Sequence, residues 1–317
     1  MYISWFESAE PDRSRFGGKG SSLIALKRAG FPVPGGFCIG VEGYRDLVDA
    51  CGLAPILGRV DSARLAQDRL QAKEFCDSVI ARIDSISLSP KLEEQLAEAS
   101  NVLFSRPDLH VAVRSSAIAE DGQSASFSGM YTSYLNIPTL EGVRSAVSSC
   151  YLSVWQPWAL QYRARIAPDR LADCMAVVVM EMVHADVAAV AFSVNPVTGA
   201  SDEVLINASW GLGESVVGGR VSPDHVVARK ADGLVLQYIP GNKDSQILPG
   251  HDGGVEEQSV PPALASSPCL SGDDIRTIVE FTKAAEEFFG GPQDVELAKA
   301  DGDWKVLQSR AITGLRA

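Results

Sequence analysis

Four polar side chains near the end of the chain have the right chemistry to hold a phosphate and a metal. They sit on two short alternating runs, Gln293-Asp294-Val295-Glu296-Leu297-Ala298 and Lys305-Val306-Leu307-Gln308-Ser309-Arg310, joined through Asp301-Gly302-Asp303. Side chains alternate across a strand, so Asp294 and Glu296 share one face, as do Gln308 and Arg310. A three-residue loop (301–303) would set Glu296 opposite Gln308 and Asp294 opposite Arg310, all on one face. A two-residue loop slips the register by one and sends the two pairs to opposite faces. We expect the three-residue loop, because oxygen ligands beside a guanidinium are what a Mg-triphosphate needs. Taken alone, the same face would serve equally well as a solvated surface with cross-strand ion pairs.

Two further stretches suit an anion. Phe16-Gly17-Gly18-Lys19-Gly20-Ser21-Ser22 is a Gly-rich loop expected to feed a helix from about Ser21 to Ala29, stopped by Gly30. Such a loop offers backbone N–H groups, and Lys19 adds a point charge. It is not a Walker A loop, because Arg13 and Gly20 stand where that pattern needs Gly and a hydroxyl residue. Alone, it is no more than a turn with a lysine. His110-Val111-Ala112-Val113-Arg114-Ser115-Ser116 reads as a short apolar strand ending in a guanidinium and two hydroxyls; a strand end with a surface arginine accounts for it as well. Trp210-Gly211-Leu212-Gly213-Glu214 lacks the third glycine of a dinucleotide loop, with Val216 in that place, which argues against a Rossmann unit.

The elements that must position these residues follow from periodicity. Residues 41–105 are mostly helical, with Leu65, Leu70, Phe75, Val79, Ile80 and Ile83 near a 3.6 period. Leu140 to Tyr162 forms one long helix or two, with Trp155 and Trp158 assigned to the core. Met175 to Val183 is a near-continuous apolar strand, hence buried on both faces, and ends of such strands can hold an adenine ring. Strands follow at 187–193, 203–208, 226–230 and 234–239. Asp244 to Pro268 reads as an extended, mobile surface segment. Ser271 then caps an amphipathic helix that Gly290-Gly291-Pro292 stops.

The 317 residues suggest two or three lobes. A formal charge of −12 argues against nucleic acid or an anionic membrane as the main partner. The six cysteines show no CxxC, and His110, His184, His225 and His251 show no HxxxH or HExxH spacing, so a zinc centre is not expected. Without a signal peptide or a spanning apolar run, the expected location is the cytoplasm.

Taken in order, four blocks resemble one family. They are Gly17-Gly18-Lys19-Gly20 through Pro32-Val33-Pro34, Val113-Arg114-Ser115-Ser116 through Ser126-Phe127-Ser128-Gly129, Trp210-Gly211-Leu212-Gly213-Glu214 through Pro223-Asp224, and Gln293-Asp294-Val295-Glu296 with Leu307-Gln308-Ser309-Arg310. The chain resembles the ATP-binding domain of phosphoenolpyruvate synthase, pyruvate phosphate dikinase and rifampin phosphotransferase. The resemblance implies an α+β, ATP-grasp fold with lobes at 1–183 and 184–317 and a nucleotide cleft between them. It implies that Lys19, Arg114 and Arg310 act on the ATP phosphates as catalytic cations, with Gly129 and Ser133 in the loop over them. Glu296 and Gln308 resemble Mg²⁺ ligands, with Asp294 as a supporting carboxylate. Met180, Met182 and Val183 fall where family members hold adenine. The chain departs from the family pattern at Met180 (usually Gln), Leu297 (usually aromatic), Ala311 (usually Pro) and Gly35-Gly36 (usually Pro-Gly). The family's Ser-His nucleophile has no counterpart among the four histidines. The expected partner is therefore a phosphate-accepting histidine or substrate domain on a separate chain. The alternatives are a stand-alone ATP-grasp kinase or ligase acting on a small molecule, a non-catalytic nucleotide-binding module, and a segment of a longer enzyme.

Overall fold

A computed structural model describes residues 1–57, 61–84, 86–118, 121–122, 125–126, 132–166, 175–219 and 221–313. Gly129 and Cys174 lie outside the described residues. Helices and strands come in runs, and the paired strands are antiparallel, so the class is α+β. Two compact units form, one from residues 1–24 and 36–181, the other from 25–35 and 182–317.

The first unit holds strands β1 (Ile3–Trp5), β2 (Gly36–Ile39), β3 (Val111–Ala117), β4 (Asp121–Gly122), β5 (Ala125–Ser126), β6 (Ser133–Ile137) and β7 (Met175–Glu181). Its helices are α1 (Arg13–Arg28, continuing past the boundary at residue 24), α2 (Val41–Ala50), α3 (Ala54–Leu57), α4 (Ser62–Gln67), α5 (Arg69–Asp84), α6 (Pro90–Leu103), α7 (Leu140–Ser153) and α8 (Pro157–Ile166). The five-stranded sheet runs β1-β2-β7-β3-β6 with antiparallel neighbours. Helical packing expected over 41–105 is present. It buries Leu65, Val79, Leu92 and Leu96 against Phe37, Val111, Val113, Val177 and Val179 on one sheet face. The central strand β7 is buried along its length until Glu181, as its unbroken apolar run requires. Trp155 is fully buried, whereas Trp158 is exposed: the two lie three residues apart, but only Trp155 turns into the core.

The second unit holds β8 (Val187–Phe192), β9 (Glu203–Trp210), β10 (Asp224–Arg229), β11 (Val235–Ile239), β12 (Ser245–Pro249), β13 (Val255–Ser259), β14 (Gln293–Ala300) and β15 (Asp303–Ala311), with helices α9 (Glu214–Val217), α10 (Pro262–Ala265) and α11 (Gly272–Phe289). Its six-stranded sheet runs β11-β10-β9-β8-β14-β15. Helix α11 begins where the sequence places it. Ser271 and Asp274 form a reciprocal capping box, and Gly290 ends the helix in the left-handed conformation.

Segment 244–268 lies at the surface, as expected, but carries regular structure. Strands β12 and β13 pair as a hairpin, and buried Ile247 anchors it by accepting the Leu212 N–H at 2.8 Å. Both ends of the excursion are tied to buried Asp224, whose carboxylate accepts from Gly241 N, Lys243 Nζ and Cys269 N, and from Tyr238 Oη. Burial pushes that carboxyl up, but these four donors outweigh it and hold it below the ordinary range.

Candidate functional site

The hairpin β14–β15 turns through two residues, not the expected three. Ala300 pairs with Asp303, and Asp301 and Gly302 both take positive φ, 52° and 87°. A regular ladder from that turn would set Glu296 opposite Leu307 and put the polar pairs on opposite faces. A bulge prevents this. Leu297 pairs with Val306, but Glu296 pairs with Gln308, so Leu307 is the extra residue. Beyond it, Asp294 pairs with Arg310, and all four polar residues share a face. Thus the expected pairing stands, by a different device.

Arg310 donates through Nε and Nη2 to a single oxygen of Asp294, at 2.8 and 2.6 Å. Asp294 and Gln308 are buried, and Glu296 is half-buried. Register continues the face across the sheet: Glu296 lies opposite Val190, Val190 opposite Asn207, and Asn207 opposite His225. His225 Nδ1 meets Asn207 Oδ1 at 3.1 Å.

The opposite face, with Val295, Leu297 and Val306 at its centre, carries α11, which packs on β8, β14 and β15. Asp274 joins helix to hairpin by accepting from Lys299 Nζ at 2.7 Å and Trp304 Nε1 at 2.9 Å. Burial raises the Asp274 carboxyl, but hydrogen bonds from Lys299, Ser271 and Trp304 prevail and hold it at about 2. In the sequence Ser271 was legible as the cap; the bonds of Asp274 to the hairpin were not.

In the first unit, α1 starts at Arg13 and breaks at Gly17 (φ 69°), so the glycines lie within the helical stretch and do not form a loop ahead of Ser21. Ser116 fixes this geometry. Its Oγ donates to Phe16 O at 2.7 Å and accepts from Gly20 N at 3.0 Å, while a Cβ at Gly17 would lie 2.2 Å from Ser116 O. The Gly20 N–H and the Ser116 hydroxyl, both assigned to anion recognition from sequence, are therefore spent within the protein, the first on Ser116 Oγ and the second on Phe16 O. Ser115 Oγ likewise donates to Thr132 O at 3.2 Å.

Lys19 Nζ donates to Ser115 O at 3.3 Å. Arg114 lies opposite Ser133 and Val178, and Met180 opposite Ala112, so Arg114, Ser133 and Met180 share the sheet face against which Gly17 and Gly20 pack. Met182 and Val183 follow the end of β7 and are half-buried. The structure thus gathers Lys19, Arg114, Ser133 and Met180 in one unit and Asp294, Glu296, Gln308 and Arg310 in the other. Among the described residues, no group of three His, Cys, Asp or Glu side chains could cage a metal ion, and no helix is long and apolar enough to cross a membrane.

Residues 13–317 match the family described as the pyruvate phosphate dikinase AMP/ATP-binding domain. The chain is 36% identical, over 99% of its length, to a probable phosphoenolpyruvate synthase of Methanothermobacter thermautotrophicus, of which it covers 46%. It is 30% identical over 99% of its length to the phosphoenolpyruvate synthase of Pyrococcus furiosus, covering 44% of it. To an uncharacterised phosphotransferase of Bacillus subtilis it is 33% identical over 99%, covering 35% of that protein. The chain therefore spans less than half the length of these relatives. With nearly its whole length matched, it belongs to the pyruvate phosphate dikinase AMP/ATP-binding domain family.

Proposed function

We propose that this chain binds Mg-ATP and supplies the nucleotide half of an ATP-dependent phosphotransferase. One observation carries the reading: the bulge at Leu307 keeps Glu296, Gln308, Asp294 and Arg310 on one face of β14–β15. A bulge costs a ladder position, and here it re-aims two side chains toward two others of complementary chemistry.

The donor set fits Mg²⁺ when nucleotide is present. Mg²⁺ takes oxygen ligands, usually one or two carboxylates completed by substrate phosphates and waters. Glu296 offers a carboxylate and Gln308 an amide oxygen at the paired position, with Asp294 two residues along on the same face. Bound there, Mg²⁺ would neutralise and orient the phosphates. The chain's own residues do the rest. Asp294 holds the Arg310 guanidinium, which binds the terminal phosphate, and Lys19 and Arg114 bind phosphate oxygens from the first unit. Together the three cations stabilise charge that develops on the transferred phosphoryl group. Met180, Met182 and Val183 enclose the adenine, and the fold is a two-lobed ATP-grasp with the nucleotide between the units. The acceptor is a histidine or substrate domain on a separate chain.

The test is transfer from γ- and β-labelled ATP with Mg²⁺, for the chain alone, with small carboxylate or hydroxyl acceptors, and with a histidine-domain protein. Label moving to the protein partner supports the reading. Transfer to a small molecule alone would replace it with a free-standing kinase. ATP binding with no transfer under any condition would make the chain a binding module. Glu296→Gln is expected to lower turnover at least ~10²-fold with the melting temperature unchanged; unchanged turnover would refute the assignment of Glu296.

A further inference from the structure

Hairpin β14–β15 carries a further lysine on its polar face. Lys305 pairs with Ala298 across the ladder, and Ala298 shares a face with Asp294 and Glu296. The chain neighbours of Lys305 turn the other way. Trp304 donates to Asp274 of α11, and Val306 is fully buried on the side where α11 packs. In a regular strand Lys305, three residues before Gln308, would face away from it. The Leu307 bulge brings both to one side.

A lysine is rarely drawn out of water without a partner. Lys19, Lys27, Lys230 and Lys299 are half-buried and Lys243 is buried. Each ammonium donates within the protein, to Ser115 O, Val33 O, Glu286, Asp274 and Asp224 in that order. Lys305 is half-buried as well, yet among the described residues its Nζ makes no hydrogen bond and no ion pair. Glu296 sits diagonally across the ladder, and even so the two do not pair. A cation held on a ligand-facing surface without an internal acceptor is suited to an anion that arrives from outside.

We infer that Lys305 is a nucleotide-binding residue whose ammonium contacts the α-phosphate, an assignment that rests on the Mg-ATP reading of this face. Arg310, the Glu296–Gln308 pair and Lys305 follow one another along the hairpin. Their rows span about 13 Å, because four residues of β14 lead from Asp294 to Ala298. With the terminal phosphate at Arg310 and the metal at Glu296 and Gln308, the rest of the phosphate chain runs toward Lys305. Its flexible four-carbon stem covers the distance that the backbone leaves. The α-phosphate is common to ATP, ADP and AMP, so this contact is independent of the metal and of the transferred group.

Calorimetric titration of the full chain with ATP, ADP and AMP in Mg²⁺, and with AMP in EDTA, tests the assignment. Lys305→Met is expected to weaken all three nucleotides by a similar factor of at least ~5, and AMP equally with and without metal. Lys305→Arg should return affinity to within about threefold of wild type, since it restores the charge. Lys305→Met should leave Tm unchanged, because the ammonium has no partner within the protein to lose. Lys283→Met, at an exposed position of α11, should leave affinity unchanged and controls for net charge. Unchanged affinity in Lys305→Met, with Mg-ATP binding weakened by Glu296→Gln, would overturn the assignment of Lys305 and leave the metal reading standing. A loss with ATP but not with AMP would also overturn it, by placing Lys305 on another phosphate. Mg-ATP affinity unchanged by both substitutions would refute the reading of the face itself. If Lys305→Met does not fold, Lys305→Gln makes the same comparison.

Discussion

Gly17 and Ser116 show how one position can be fixed by its partner. Gly17 takes a left-handed φ that L side chains resist, and a Cβ there would collide with the Ser116 carbonyl. Gly17→Ala is therefore expected to cost at least ~2 kcal/mol in urea-unfolding stability, as backbone strain and steric clash add. Ser116→Ala removes two buried hydrogen bonds and leaves the Phe16 carbonyl and Gly20 N–H without that partner. A loss of about 1–3 kcal/mol is expected in the same measurement. Both changes disturb the segment that carries Lys19, so ATP affinity, measured by calorimetry on the folded protein, should fall with them. A Ser116→Ala protein with full stability would show that the hydroxyl does not hold α1.

At the level of elements, the hairpin and α11 act together. If the bulge alone sets the register, deleting Leu307 leaves Glu296 opposite Gln308 in a regular ladder. Deleting Ser309 instead moves Arg310 opposite Val295, on the α11 face. ATP affinity should stay within about threefold after the first deletion and fall at least ~10-fold after the second, because only the second removes a charge-assisted phosphate contact. Equal losses in both would refute the register argument. Asp274 ties α11 to this hairpin, and its stability contribution depends on pH. Its folded value of about 2 lies below the ordinary 3.8, so the contribution is full above about pH 4 and is lost as pH falls toward 2. The difference corresponds to about 2 kcal/mol. Asp274→Asn should lower stability at pH 7 and flatten the acid limb of a stability–pH curve measured by urea unfolding. An unaltered acid limb would count against the Asp274 bonds.

At the scale of the whole molecule, the two compact units each hold part of the proposed site. If one Mg-ATP engages both, a non-hydrolysable analogue with Mg²⁺ should reduce the radius of gyration in small-angle scattering. Glu296→Gln should weaken that response, and a wild-type radius unchanged by saturating analogue would argue against joint engagement.

The sequence by itself determined what depends on neighbours along the chain. Alternation in 293–298 and 305–310, the buried run of β7, the Ser271 cap and the Gly290 stop are local rules, and each element formed where those rules put it. The order of four short blocks was also enough to identify the family. What only the tertiary structure decided was where hydrogen bonds and side chains are spent between distant segments. Ser116, lying 100 residues from Phe16, is committed to α1 and not to an anion. Segment 244–268 is held at its flanks by the bonds of Gly241, Lys243 and Cys269 to Asp224 and within by Leu212 at Ile247, partners that its own polar composition does not reveal. Trp158 and Trp155 look alike in sequence, and only packing separates them. The bulge belongs to the same class. A ladder takes an extra residue when that satisfies the faces on both sides, and here α11 claims Val295 and Leu297 while the polar pairs take the other face. Local alternation could state which residues share a face, but not how the chain would reconcile a two-residue turn with that requirement.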